Sequence, residues 1–229
     1  MPDPVRMSNS IASLCSIFRA YFKQPATDRT SLEITADNGN AIAQYHLGVM
    51  YANGRGVLKD EAKAIAWYQK AAIQGNALAQ LNLAFIFASG KGVPRDDRKA
   101  FEWCKKAAVQ GDALAQFNLG LIYAAGTGVH EDDAKAVKWL EKAAVQGSAP
   151  AQFNLGVMFD KGRGVHKDEI RACAWMNLAA ESGARNASKE GYKIELRLTT
   201  EQKAEAQKLT KELSIKIQTK RIKADDRGS

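Results

Sequence analysis

Cysteine is scarce in this chain of 229 residues: there are three, at Cys15, Cys104 and Cys173. An odd, dispersed trio makes a poor disulfide framework, so the fold must rest on packing, and a reducing compartment is the simpler assumption. Histidine is equally rare, with three. None of them stands in H-E-x-x-H, and the chain also lacks G-x-x-x-x-G-K-[ST] and G-x-S-x-G. Those absences exclude the usual zinc-hydrolase helix, phosphate loop and serine-hydrolase elbow. No catalytic residue, no metal site and no cofactor is expected. No stretch reaches the roughly 20 apolar residues a membrane-spanning helix needs. The apolar run Ile11–Phe18 is short and is followed by Arg19, with no small-residue cleavage site after it. Cys15, preceded by Ala-Ser-Leu, is a poor lipoprotein pattern. The cytoplasm is the expected location.

The composition is otherwise ordinary, 45% hydrophobic and 25% charged, enough to fill a continuous core. Net charge is +8, with 12 Lys/Arg against 7 Asp/Glu in residues 184–229 alone. The basic end admits nucleic acid, acidic proteins or an anionic membrane surface as partners, although such an end is more often a solvated helix face.

One 36-residue unit fills the middle of the chain four times. The copies open AQYHLGVMYANGRGV at Ala43, AQLNLAFIFASGKGV at Ala79, AQFNLGLIYAAGTGV at Ala115 and AQFNLGVMFDKGRGV at Ala151. A fixed period in this range means stacked supersecondary units, none able to bury its apolar face alone. In the first copy Ala43, Leu47, Met50 and Tyr51 recur at helical spacing and predict a helix A over 40–53. Gly48 recurs as Ala84, Gly120 and Gly156, a small residue that permits close helix approach. The pair Gly54/Gly56 recurs at 90/92, 126/128 and 162/164: one glycine ends helix A, the other serves the turn. Asp60, Asp96, Asp132 and Asp168 cap a second helix, B, and Gly75, Gly111, Gly147 and Gly183 close it.

Column comparison sorts the remaining residues. Trp67, Trp103, Trp139 and Trp175 share one column and read as structural core, so Trp139→Ala should cost about 3–5 kcal/mol. Cys104 falls in the column of Tyr68, Leu140 and Met176, and Cys173 in that of Ile65, Phe101 and Val137. Both read as small core residues. His130 and His166 share an exposed loop column, one repeat apart and too distant for one metal. On helix A, the position of His46 becomes Asn82, Asn118 and Asn154, and three residues on stand Val49, Phe85, Leu121 and Val157. An amide at a half-exposed position, repeated about every 10 Å as helices stack, matches three residues of extended peptide. His46, Val49, Asn82, Phe85, Asn118, Leu121, Asn154 and Val157 are therefore the candidate partner-binding residues. The alternative is that the asparagines bond neighbouring repeats and serve stacking only.

The combination A-x-x-x-LG-x-x-Y-x-x-G-x-GV-x-x-D-x-x-KA-x-x-W-x-x-KAA-x-x-G resembles the SEL-one-like repeat family, a bacterial-rich relative of tetratricopeptide repeats. The match covers residues 40–183. Departures are mild: Ala84 for Gly, Phe87 and Phe159 for Tyr, Arg171 for Lys. The resemblance implies an all-α solenoid, a right-handed superhelix of antiparallel helix pairs, with helix A lining a concave groove. It also implies an adaptor or scaffold that binds a protein or peptide partner, not an enzyme. Some cysteine-rich secreted relatives bind or hydrolyse β-lactams, but this chain lacks their cysteine pairs. A third reading is nucleic-acid or anionic-surface binding through the basic C-terminal helix.

The expected organisation is an N-terminal segment over 1–27 and a capping half-repeat over 28–39. Four repeats follow over 40–183, then C-terminal capping helices over 184–219 and a disordered basic tail over 220–229. Thr199 and Gln202 are spaced as a capping box, and Ala206, Leu209, Leu213 and Ile217 form the stripe that docks on the last repeat.

Overall fold

The computed structural model describes residues 29–225. The expectations for residues 1–27, Cys15 and the run Ile11–Phe18 lie outside the described residues. Eleven helices and no strand form among the described residues. A lone helix α1 (Arg29–Asp37) precedes four hairpins. These pair α2 (Ala41–Asn53) with α3 (Glu61–Ile73), α4 (Ala77–Ser89) with α5 (Asp97–Val109), α6 (Ala113–Ala125) with α7 (Asp133–Ala144), and α8 (Ala149–Lys161) with α9 (Glu169–Glu181). Then come α10 (Ala187–Glu195) and α11 (Thr200–Asp225). The chain divides into two compact units. One runs through Ala115 and takes in the loop 127–129; the other holds 116–126 and everything from His130.

The helices begin where an oxygen can take an orphan N–H. The carboxylates of Asp60, Asp96, Asp132 and Asp168 accept from the N–H three residues on at 2.8–2.9 Å. Asn40, Asn76 and Asp112 do the same for α2, α4 and α6. The four aspartates also close their hairpins, donating their own N–H to the carbonyls of Tyr51, Phe87, Tyr123 and Phe159. Each hairpin is thus tied by one residue that serves both helix B and helix A.

The small column on helix A explains how closely the pairs approach. A Cβ at Gly48 would lie 2.5 Å from the Tyr68 ring, one at Gly120 2.8 Å from Leu140, and one at Gly156 2.9 Å from Met176. Ala84 is the exception, and its repeat is the one that places Cys104, the smallest residue of that column, opposite. Cys104 is 1% exposed, and burial pushes its thiol up to about 12. Cys173 is 3% exposed, and burial raises its thiol as well.

Both glycines of the helix A turn are left-handed, the one that ends helix A and the one that serves the turn. Gly128 and Gly164 have φ of 71° and 69°. A Cβ at Gly128 would meet the Asp97 carbonyl at 2.1 Å, and one at Gly164 the Asp133 carbonyl at 2.3 Å. The second glycine therefore lets the turn seat on the first residue of the preceding helix B. Arg163 strengthens that seat, with a bidentate pair to Asp133 at 2.7 and 3.0 Å.

A glutamine ladder links the repeats, built on the Ala-Gln that opens every copy. Gln44, Gln80, Gln116 and Gln152 are all buried. Gln44, Gln80 and Gln152 donate their amides to the carbonyls of Ala36, Ala72 and Ala144, each at the end of the preceding helix B. Their own oxygens are then met by a second glutamine: Gln74 donates to Gln44, Gln110 to Gln80 and Gln146 to Gln116, at 2.7–2.8 Å. In the fourth repeat the donor's place is taken by Ser182, too short to reach, and the Gln152 oxygen is buried without a protein partner. An unmet buried acceptor costs about 1–3 kcal/mol, so Ser182→Gln should recover about 1 kcal/mol of that. The gain is read as a higher urea midpoint at unchanged slope; a lowered midpoint would contradict the ladder.

The C-terminal helices cover the last repeat. Both α10 and α11 pack on α9. Thr199 and Gln202 form the reciprocal capping box at 2.9 and 3.3 Å. Ala206 and Ile217 are buried, Leu209 and Leu213 half-buried, and Thr210 joins the stripe by returning its hydroxyl to the Ala206 carbonyl. Arg197 pairs with Glu169 and Asp160. The helix continues to Asp225, beyond the boundary placed at Lys220. Residues 221–225 contain no glycine or proline to stop it.

Candidate partner-binding face

Side chains at i, i+4, i+7 and i+11 share one helix face. On α2 this face carries Ile42, His46, Val49 and Asn53, and on α4 Leu78, Asn82, Phe85 and Ser89. On the later helices A it carries Asn118 with Leu121, and Asn154 with Val157. The structure brings the candidate residues to that face but does not expose them as expected. Asn82 and Asn118 are buried, at 4% and 8%, and Val49 lies in the core cluster with Ile65, Tyr68 and Leu83. His46, Phe85, Leu121, Asn154 and Val157 are half-buried.

Two of the amides are occupied inside the protein. Asn82 hydrogen-bonds the phenol of Tyr45, one repeat earlier; burial of that phenol raises its pKa, and the asparagine partly offsets the rise. Asn154 bonds within its own helix, donating to the Pro150 carbonyl at 2.8 Å. His46 lies against Tyr45, ring centres 5.3 Å apart, and desolvation lowers its pKa. The column is thus not a uniform row of free amides. A buried amide satisfied by its neighbour explains why asparagine, a poor helix former, stands mid-helix.

What is exposed on this face was missed. Ile42 is 63% and Leu78 38% exposed, one repeat apart. The signal was present: Ile42, Leu78, Leu114 and Pro150 form an apolar column at the start of every helix A.

The tryptophan column also departs from expectation. Trp175 is buried at 5%. Trp67, Trp103 and Trp139 are only half-buried, with the ammonium groups of Lys70, Lys106 and Lys142 4.0, 4.2 and 3.9 Å from their ring centres. They pack one ring face on the scaffold and present the other to a lysine. The cost assigned to Trp139→Ala therefore belongs to Trp175. His130 and His166 are exposed. Among the described residues no three His, Cys, Asp or Glu side chains converge as a metal site would need, and no helix is long and apolar enough to cross a membrane.

Consecutive two-helix repeats define an all-α solenoid. The model of the Sel1 repeat matches residues 41–76, 77–112, 113–148 and 149–183, one hairpin each, and the chain belongs to the Sel1 repeat family. The fold is similar to that of a Sel1 repeat protein from Oxalobacter formigenes, 35% identical, with a TM-score of 0.68 over 76% of this chain and 51% of that one. It is also similar to c5321, a protective antigen present in uropathogenic Escherichia coli strains and displaying an SLR fold. There the identity is 31%, with a TM-score of 0.54 over 82% of this chain and 48% of that one. The chain thus spans about half the length of these two proteins. No curated protein matches it. Sel1 repeats are commonly protein–protein interaction modules, and the fold is typically a non-catalytic scaffold.

Proposed function

We propose that the chain is a non-enzymatic interaction module that holds an extended segment of a partner protein against the face of its helices A that carries Ile42 and Leu78, the groove-lining face that the resemblance implies. One observation carries this reading: Ile42 and Leu78, large apolar side chains, stand exposed at the same position of successive repeats. Phe85 follows on α4, two turns along. Scattered apolar residues are ordinary on a protein surface, but a column repeated with the scaffold is a contiguous strip. A peptide laid across it would seat alternate side chains on these positions. The buried amides of Asn82 and Asn118 would keep the helices in register beneath it, so their part is indirect.

The test is selection of binders from a random peptide phage library, followed by affinity measurement on surface variants. Ile42→Asp and Leu78→Asp should each weaken a selected peptide by about tenfold or more, equal to about 1.4 kcal/mol. Ile215→Asp, a change at an exposed position of α11, should leave binding unchanged. Equal binding by all three variants would overturn the reading.

A further inference from the structure

The outer face of helix B carries one pattern in two different states. On α9 it reads Ala174, Trp175 and Leu178, at 0%, 5% and 3% exposure, and α11 packs over that helix. On α3 the same columns hold Ala66, Trp67 and Lys70, with Ala66 and Lys70 exposed and Trp67 half-buried. The small residue and the tryptophan that are buried on α9 are thus both present on α3. One turn further, Ile73 is 78% exposed. On α5, in the same compact unit, Trp103 and Lys106 repeat the stack, and Val109 is 68% exposed. On α3 the single difference from the α9 triplet is a lysine where α9 has leucine; on α5 Glu102 also replaces the alanine.

Charge decides what could lie there. The α11 residue Lys216 acts electrostatically on Glu141 of α7. The column of Glu141 holds Gln69 on α3 and Lys105 on α5. Lys70 and Lys106 stand beside it, their ammonium groups over tryptophan rings, whereas Lys63 and Lys99 are paired with Asp60 and Asp96. The outer faces of α3 and α5 thus present Lys70, Lys105 and Lys106, and their one carboxylate there, Glu102, is paired with Arg98 of its own helix.

We propose that the outer face of α3, flanked by α5, is a second docking surface, and that its occupant is an amphipathic helix of another protein carrying carboxylates beside its apolar stripe. The stripe would lie on Ala66, Trp67 and Ile73, and the carboxylates would draw Lys70 and Lys106 off the rings. A second copy of this chain is a poor occupant, because the apolar stripe of its α11, with Ala206 and Ile217 buried, is already engaged where that helix packs on α9.

The test uses the full chain and two labelled peptides read by fluorescence anisotropy. One is residues 200–219 of this chain; the other is the same peptide with its lysines replaced by glutamate. The glutamate peptide should bind saturably and release in high salt, and the lysine peptide should not bind. The variant Lys70→Glu/Lys106→Glu should invert that preference by about tenfold in each direction. Both changes are at the surface, and circular dichroism checks that the variant folds; Ile73→Ser supplies an independent change at the same face. Ile42→Asp, on the face of helices A, should leave the glutamate peptide bound, which separates this surface from the one proposed above. Failure of the glutamate peptide to saturate, an unchanged preference in the double variant, or a dimer abolished by Lys70→Glu would each overturn the proposal.

Discussion

Gly164→Ala should destabilise this protein by about 3–4 kcal/mol, whereas Gly183→Ala should cost only about 1–2 kcal/mol. Both glycines are left-handed, with φ of 69° and 81°, so an alanine meets the same backbone penalty at each. They differ in what lies next to them. At Gly183 no heavy atom stands within 4 Å of the added Cβ. At Gly164 that carbon would lie 2.3 Å from both the carbonyl carbon and oxygen of Asp133, and 2.8 Å from the Ala134 nitrogen. Those are backbone atoms of the first turn of α7, held by the Asp132 cap and by the Arg163 pair. They cannot swing aside as a side chain would, so the turn has to lift from the preceding repeat. Urea denaturation of the two variants side by side checks this. Equal midpoints would mean that the turn does not seat on α7.

Trp175→Ala should cost about 3–5 kcal/mol, the range of a buried aromatic truncation. Trp67→Ala should cost about 1–2 kcal/mol, because that ring already has one face toward solvent and loses a single lysine stack. Trp175 is 5% exposed on α9, the helix on which α11 packs, and its removal should leave a cavity that loosens the seat of α11. A second consequence follows: the α11 amides around Ala206 and Thr210 should lose hydrogen-exchange protection in Trp175→Ala before the α8 amides do. Were the two tryptophan variants equally stable, the difference in burial would have no energetic meaning and the docking role of α11 would fail with it.

Much of the fold was legible because its rules are local. The 36-residue period, the Asp caps at 60, 96, 132 and 168, and the closing glycines depend on residues three or four apart, and each of those caps forms its bond. The small column at Gly48, Gly120 and Gly156 was legible as a close approach, and the structure adds what approaches: Tyr68, Leu140 and Met176. The candidate site was read less well. The asparagine column was found, but a repeated polar residue looks the same whether it faces a ligand or a neighbour. Only Tyr45 beside Asn82, with the burial around them, distinguishes the two. The glutamine ladder escaped for the same reason: Gln74 and Gln44 are 30 residues apart and meet only after stacking.

Period, caps and turn glycines, read along the chain alone, establish four helical hairpins and the family to which they belong. Packing decides the rest. Columns that are equivalent in one dimension become unequal when distant segments pack on one copy and leave the others open: Trp175, on the helix that α10 and α11 cover, is buried, and Trp67 is half-buried. Burial depends on neighbours contributed from far along the chain, and no periodic pattern encodes which copy will have them.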